Sequence, residues 1–212
     1  MTYYTENAGG YPFGLPNPED LIVLDIEASS LNGAIEYIAA QGPQSYPVEI
    51  GVVDHQCHDI SYLIKRADGW VDWHGQEGDE TKGYIHGISL DELEKDGKDV
   101  EFAAAFLNDF CKDKVVLCRG PNGAYSDRFW LGRLYEAAGI EQEFEVNCFA
   151  DFIDFENDVD VDEAYEQSGF GSDAKHRAGD DALQWMRFYL NLYKIKEQEH
   201  QSKPEIDLSP SF

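Results

Sequence analysis

The first sharp feature along the chain is Leu21-Ile22-Val23-Leu24-Asp25-Ile26-Glu27, apolar at odd and even positions alike until its last residues. That pattern belongs to a central strand covered on both faces. Val48 to Asp54 and Ile60 to Lys65 are β-type runs about ten residues apart, which predicts two antiparallel strands joined through Asp54 to Asp59. Ser89 followed by Glu92 has capping-box spacing, so a short helix is expected from there to Gly97.

Glu101 to Cys111 spaces Phe102, Ala105, Phe106 and Phe110 near helical period, and Val115 to Cys118 reads as a short strand. Tyr125 to Ala138 predicts a helix stopped by Gly139, Phe144 to Phe149 a last strand, and Arg177 to Tyr193 a closing helix. Five strands interleaved with helices imply an α/β fold, a central mixed five-stranded sheet flanked by helices. Residues 1–20, punctuated by Gly and Pro, read as an irregular lead-in, 21–196 as the domain and 197–212 as a flexible tail. The stretch 151–173, rich in Asp and Glu and free of Lys and Arg, is expected to be a solvated loop or short surface helix.

A length of 212 residues suits one domain, and 42% apolar content can fill its core, so a fully disordered chain is excluded. The chain carries 16 Lys+Arg against 42 Asp+Glu, a net charge of −26, which argues against extended contact with a polyphosphate backbone. Cys57, Cys111, Cys118 and Cys148 form no C-x-x-C pair and are expected to be reduced thiols. With no apolar run near membrane length and no leader pattern, the expectation is a soluble cytoplasmic protein without membrane contact.

Asp25 and Glu27, two apart on a strand, project from one face about 7 Å apart, at the exit of the most buried strand. Alone, such a pair commonly does no more than solvate a strand end. Asp127 lies near the start of a helix, where a single acid often serves the helix dipole. His176 precedes the last helix, with Asp180 and Asp181 in its first turn. A five-residue step turns about 140° around a helix, so His176 can meet Asp181 only from the loop entering it. Asp180 is the local rival as its i+4 neighbour.

Taken together, these positions resemble the DEDDh family of 3′-to-5′ exonucleases, the ribonuclease H-like group of DNA polymerase proofreading subunits, ribonuclease T and oligoribonucleases. The resemblance is carried by Asp25-Ile26-Glu27-Ala28-Ser29-Ser30-Leu31, by Asn122 through Asp127 to Leu131, and by His176-Arg177-Ala178 with Asp181-Ala182. Pro47-Val48-Glu49-Ile50-Gly51-Val52-Val53 and His86-Gly87-Ile88-Ser89 are accessory matches. The match spans residues 21–193; a long Asn32 to Pro47 segment and Ser126 before Asp127 depart from the common pattern.

The resemblance implies a ribonuclease H-like fold and a nuclease that releases nucleoside 5′-monophosphates from the 3′ ends of single-stranded or short nucleic acids. It also implies two Mg²⁺ or Mn²⁺ ions on Asp25, Glu27, Asp127 and Asp181, His176 as general base, and Ala28, Ser29, Glu49, Gly87 and Ile88 around the substrate. Such a site needs cations, because two carboxylates 4 Å apart repel by about 4 kcal/mol at an effective dielectric near 20. Lys65, Arg66, Lys82, Arg119, Arg128, Lys175 and Arg177 flank the motifs and could meet a few phosphates. Trp70, Trp73 and Tyr84 could stack on bases or pack inside. The competing expectations are a ribonuclease H-like scaffold without catalysis and a metal-dependent phosphoesterase on small nucleotides. The choice between RNA and DNA, the oligomeric state and any polymerase association stay open.

Overall fold

The computed structural model describes residues 11–34, 44–76, 78–119, 121–170 and 176–202, with backbone only at 121–125. Its frame is a five-stranded sheet of β1 (Leu21–Ala28), β2 (Pro47–Asp54), β3 (Asp59–Leu63), β6 (Val115–Cys118) and β7 (Val146–Cys148), in the spatial order β3-β2-β1-β6-β7. β1 pairs antiparallel with β2 and parallel with β6; β2–β3 is antiparallel and β6–β7 parallel, so the sheet is mixed.

β1 lies in the middle, and its two sides feed two cores, which is why its sequence is apolar in both registers. Ile22, Leu24 and Ile26 join α2 (Val100–Phe110) and α3 (Pro121–Ala138) on one face. Leu21 and Val23 join α4 (Asp160–Gln167) and α5 (Ala178–Ser202) on the other. By strand alternation Asp25 and Glu27 continue the α5-facing row. They thus emerge beneath α5 at the carboxyl ends of the parallel pair β1–β6, the place where open α/β sheets form their crevices.

α1 (Leu90–Asp96) starts at the expected capping box: Ser89 Oγ accepts from the Glu92 N–H, and the Glu92 carboxylate accepts from the Ser89 N–H at 2.7 Å. Several elements differ from the sequence expectation. β4 (Gly75–Gln76) and β5 (Asp79–Gly83) form a separate hairpin that hydrophobic patterning does not reveal, because its residues are polar on both sides. α3 starts earlier than Tyr125, with Pro121 as its first residue, where a missing N–H costs nothing. β7 is only three residues long, because Phe149 enters a single 3-10 turn.

α5 runs to Ser202, past the point where a tail was expected. Helix-favouring Lys, Glu and Gln follow Tyr193 with no Gly or Pro before Pro204, so the helix continues after its apolar stripe ends. Lys196 on this extension holds Asp158 and Asp160 at 2.7 to 3.0 Å, fastening the acidic stretch in which α4 forms. The lead-in is also docked: Leu15 is buried, the Tyr189 hydroxyl donates to the Pro16 carbonyl, and Phe13 packs edge-on against Tyr193. Among the described residues no helix is long and apolar enough to cross a membrane.

Candidate active site

Three chain segments meet where β1 leaves the sheet. Ligand atoms of Glu27, His176 and Asp181 all lie within 4.8 Å of one another, and His176 Nδ1 stands 3.9 Å from Asp181 Oδ2. His176 precedes the helix and is half exposed, and Asp181 sits in the first turn with its N–H donating to the Arg177 carbonyl at 2.9 Å. Asp181 is partly buried toward the site, whereas Asp180 faces solvent.

Asp127 approaches from the opposite face of the sheet on α3. It is 3% exposed, and its Oδ2 is buried without a hydrogen-bond partner. A carboxylate oxygen in that condition is costly unless something else satisfies it. The electrostatics agree. Burial, helped by Asp181, pushes the Asp25 carboxyl up to about 8. Burial together with Asp25 and Asp181 raises Glu27 to about 9. Asp127 is held well above the usual range by burial and then Asp25, and Asp181 is raised mainly by burial. All four acids therefore hold their protons more tightly than exposed carboxyls do. The donor set, hard carboxylate oxygens with one orphaned, fits a hard divalent cation, which would discharge the same repulsion that protonation relieves.

Glu49 does something other than face a substrate. It opposes Glu27 across the β1–β2 ladder, is 2% exposed, and accepts from Arg177 Nε at 2.8 Å, from a second Arg177 nitrogen at 2.5 Å and from the Ala178 N–H at 3.0 Å. Those bonds use its carboxylate as a clamp on the N-terminus of α5. Two positions along, Gly51 opposes Asp25, and a Cβ there would collide with the backbone of Ala178 and Gly179. Gly51 thus sets how closely α5 approaches the sheet, and with it the reach of Asp181 to Glu27. The sequence signal was present as a glycine inside an otherwise β-branched strand, which often marks close backbone approach.

Gly51→Ala is accordingly expected to push α5 outward. The destabilisation should be about 1 to 3 kcal/mol by urea unfolding, accompanied by weaker cation binding. A variant with unchanged stability and unchanged cation affinity would remove this role.

Beside the cluster lies a cavity of about 400 Å³ lined by Glu27, Ala28, Ser29, His74, Tyr84 and Trp130 among others. Ala28 and Ser29 line this cavity. Gly87 and Ile88 are not in the lining: Gly87 makes a turn at φ +67°, and Ile88, 3% exposed, is captured by the core. Of the expected stacking residues, Trp70 is buried against Tyr46 and Trp73 donates to the Glu80 carbonyl. Tyr84 alone of the three lines the cavity; it is 59% exposed and stacks face to face on His74, a residue that no sequence motif marks.

No family model and no curated protein matches the sequence. Among solved structures, the RNase domain of the yeast Pop2 protein aligns with a TM-score of 0.52 at 12% identity, covering 84% of this chain and 78% of that one. The fold is ribonuclease H-like. Escherichia coli exonuclease I bound to a dT13 oligonucleotide aligns at a TM-score of 0.49 and 14% identity, over 85% of this chain and 42% of that one. The chain therefore spans less than half the length of exonuclease I. In a ribonuclease H-like sheet the end of the first strand opens beside its parallel neighbour, and here that is where Asp25 and Glu27 stand.

Proposed function

We propose that this chain is a metal-dependent 3′-to-5′ exonuclease of the DEDDh type, acting on single-stranded or short nucleic acids and releasing nucleoside 5′-monophosphates. The observation that carries this reading is the convergence of Asp25, Glu27, Asp127 and Asp181, drawn from one strand and two helices far apart in sequence, into a nest whose carboxyls are all raised by burial. The Pop2 neighbour, named as an RNase domain, points the same way.

In this reading Asp25, Glu27 and Asp181 would hold one divalent ion, and Asp25 with Asp127 would hold a second. Bound there, Mg²⁺ or Mn²⁺ supplies charge neutralisation at the phosphate and a lowered pKa for an attacking water. The chain does the rest. His176, half exposed beside Asp181, takes the water proton as general base. Water attacks phosphorus in line as the bond to the leaving 3′-oxygen breaks, and the cavity beside Glu27 receives the terminal nucleoside. The net charge of −26 favours an end-reader making few phosphate contacts over a protein that tracks a duplex.

The test is degradation of a 5′-labelled oligonucleotide in RNA and DNA versions, with Mg²⁺ or Mn²⁺ and again with chelator. Expected is a ladder shortening from the 3′ end only when the ion is present. Intact oligonucleotides under both conditions would leave the scaffold reading in its place.

A further inference from the structure

We infer that Arg119 is a phosphate-binding residue of this site: its guanidinium takes a non-bridging oxygen of the phosphate being cut, the one that departs on the released 5′-mononucleotide. The inference rests on the nuclease reading and adds to it a residue that none of the sequence motifs contains.

Position comes first. β1 and β6 run parallel with Val23 opposite Leu117, and Arg119 directly follows Cys118, the last residue of β6, at the end of the sheet where β1 carries Asp25. Leu117 belongs to the α5-facing core, and the Arg119 side chain reaches toward the same helix. The guanidinium carbon lies 6.0 Å from the ring centroid of Trp185, four residues after Asp181 on α5 and therefore on the same helix face. Arg119 thus spans from the strand beside Asp25 to the helix that carries Asp181. Consistent with that placement, its charge pulls the Asp25, Asp127 and Asp181 carboxyls down against the effect of burial.

Availability comes second. Three other basic groups have protein partners: Arg177 is bound to Glu49, Arg128 Nε donates to the Val146 carbonyl, and Lys65 lies 3.4 Å from Glu94. Arg119 is exposed and, among the described residues, has no carboxylate within ion-pair distance; its neighbour is an aromatic face. Trp185 is itself fixed between Phe149 and Phe170, at 5.2 and 5.1 Å between ring centroids. A guanidinium held over a fixed indole stays near the site, and its planar fork matches two oxygens of a phosphate. In a nest of four acids, a fixed cation that no acid has captured is the group a phosphate can use.

Binding of adenosine 5′-monophosphate and of adenosine, each measured by calorimetry with Mn²⁺ present, tests this. Wild type should bind the monophosphate more tightly than the nucleoside. Arg119→Ala should weaken the monophosphate about tenfold or more and leave adenosine unchanged, since a charge-assisted bond is lost and nothing else. Arg119→Lys should recover part of the difference, keeping charge without the fork. Equal monophosphate affinity in Arg119→Ala, or parallel losses for both ligands, overturns the assignment. If wild type degrades oligonucleotides and Arg119→Ala still binds the monophosphate normally, only this inference falls. If wild type degrades nothing and binds neither ligand, the nuclease reading falls and takes this with it.

Discussion

Asp25→Asn should abolish cleavage and yet make the protein harder to unfold in the presence of chelator. Burial beside Asp181 lifts the folded-state carboxyl to about 8, whereas in the unfolded chain it titrates near 3.9. A folded pKa raised in this way gives a contribution that is complete below about pH 4 and is lost as pH climbs through about 8. Near pH 7 the loss is about 4 kcal/mol at most, because each pH step between those two values removes about 1.4 kcal/mol. Asparagine cannot ionise, so the variant should gain at least about 1 kcal/mol in chelator at pH 7 to 8, and its stability should vary less with pH. Adding Mn²⁺ should raise the melting temperature of wild type more than that of the variant, since binding to the folded state alone is stabilising. Denaturant unfolding across pH 5 to 8, with and without ion, checks all three. A variant less stable than wild type in chelator would mean that the acids are not crowded against one another.

The second large effect belongs to His176→Ala. Turnover should drop by about 10² to 10⁴, the usual worth of a positioned general base. Stability should hardly change, because the side chain is 53% exposed and, among the described residues, its one ion-pair contact is with Asp181 at 3.9 Å. The informative companion measurement is the thermal shift produced by Mn²⁺. A proton acceptor can be removed with that shift intact; a ligand cannot. Loss of the shift along with the turnover would move His176 from base to cation ligand, a role its membership of the cluster with Glu27 and Asp181 makes worth separating.

Much of this was legible in the residues themselves. β1 announced its central place by being apolar on both faces and α1 by its capping box, whereas the choice of Asp181 over Asp180 came from the family resemblance and not from helix geometry. What stayed hidden follows from physics that one-dimensional patterning does not carry. The β4–β5 hairpin has no buried face to impose alternation. The last two turns of α5 bury little, so only helix propensity records them. Glu49 looked like an acid near the substrate because its partner, Arg177, is 128 residues away and joins it only when α5 folds over β2. Arg119 sits in no motif, and the sequence cannot tell that Arg128 and Arg177 are occupied while it is not.

The pairing of β1 with β2 sets Asp25 against Gly51 and Glu27 against Glu49 on the same rungs of the ladder. A slip of one residue in that alignment would rotate nothing by degrees. It would transfer both acids to the side of the sheet that faces α3, away from the helix that carries Asp181. Competence in this chain is therefore all or none with respect to strand alignment: a misaligned sheet could still hide its greasy residues, but it would be chemically mute.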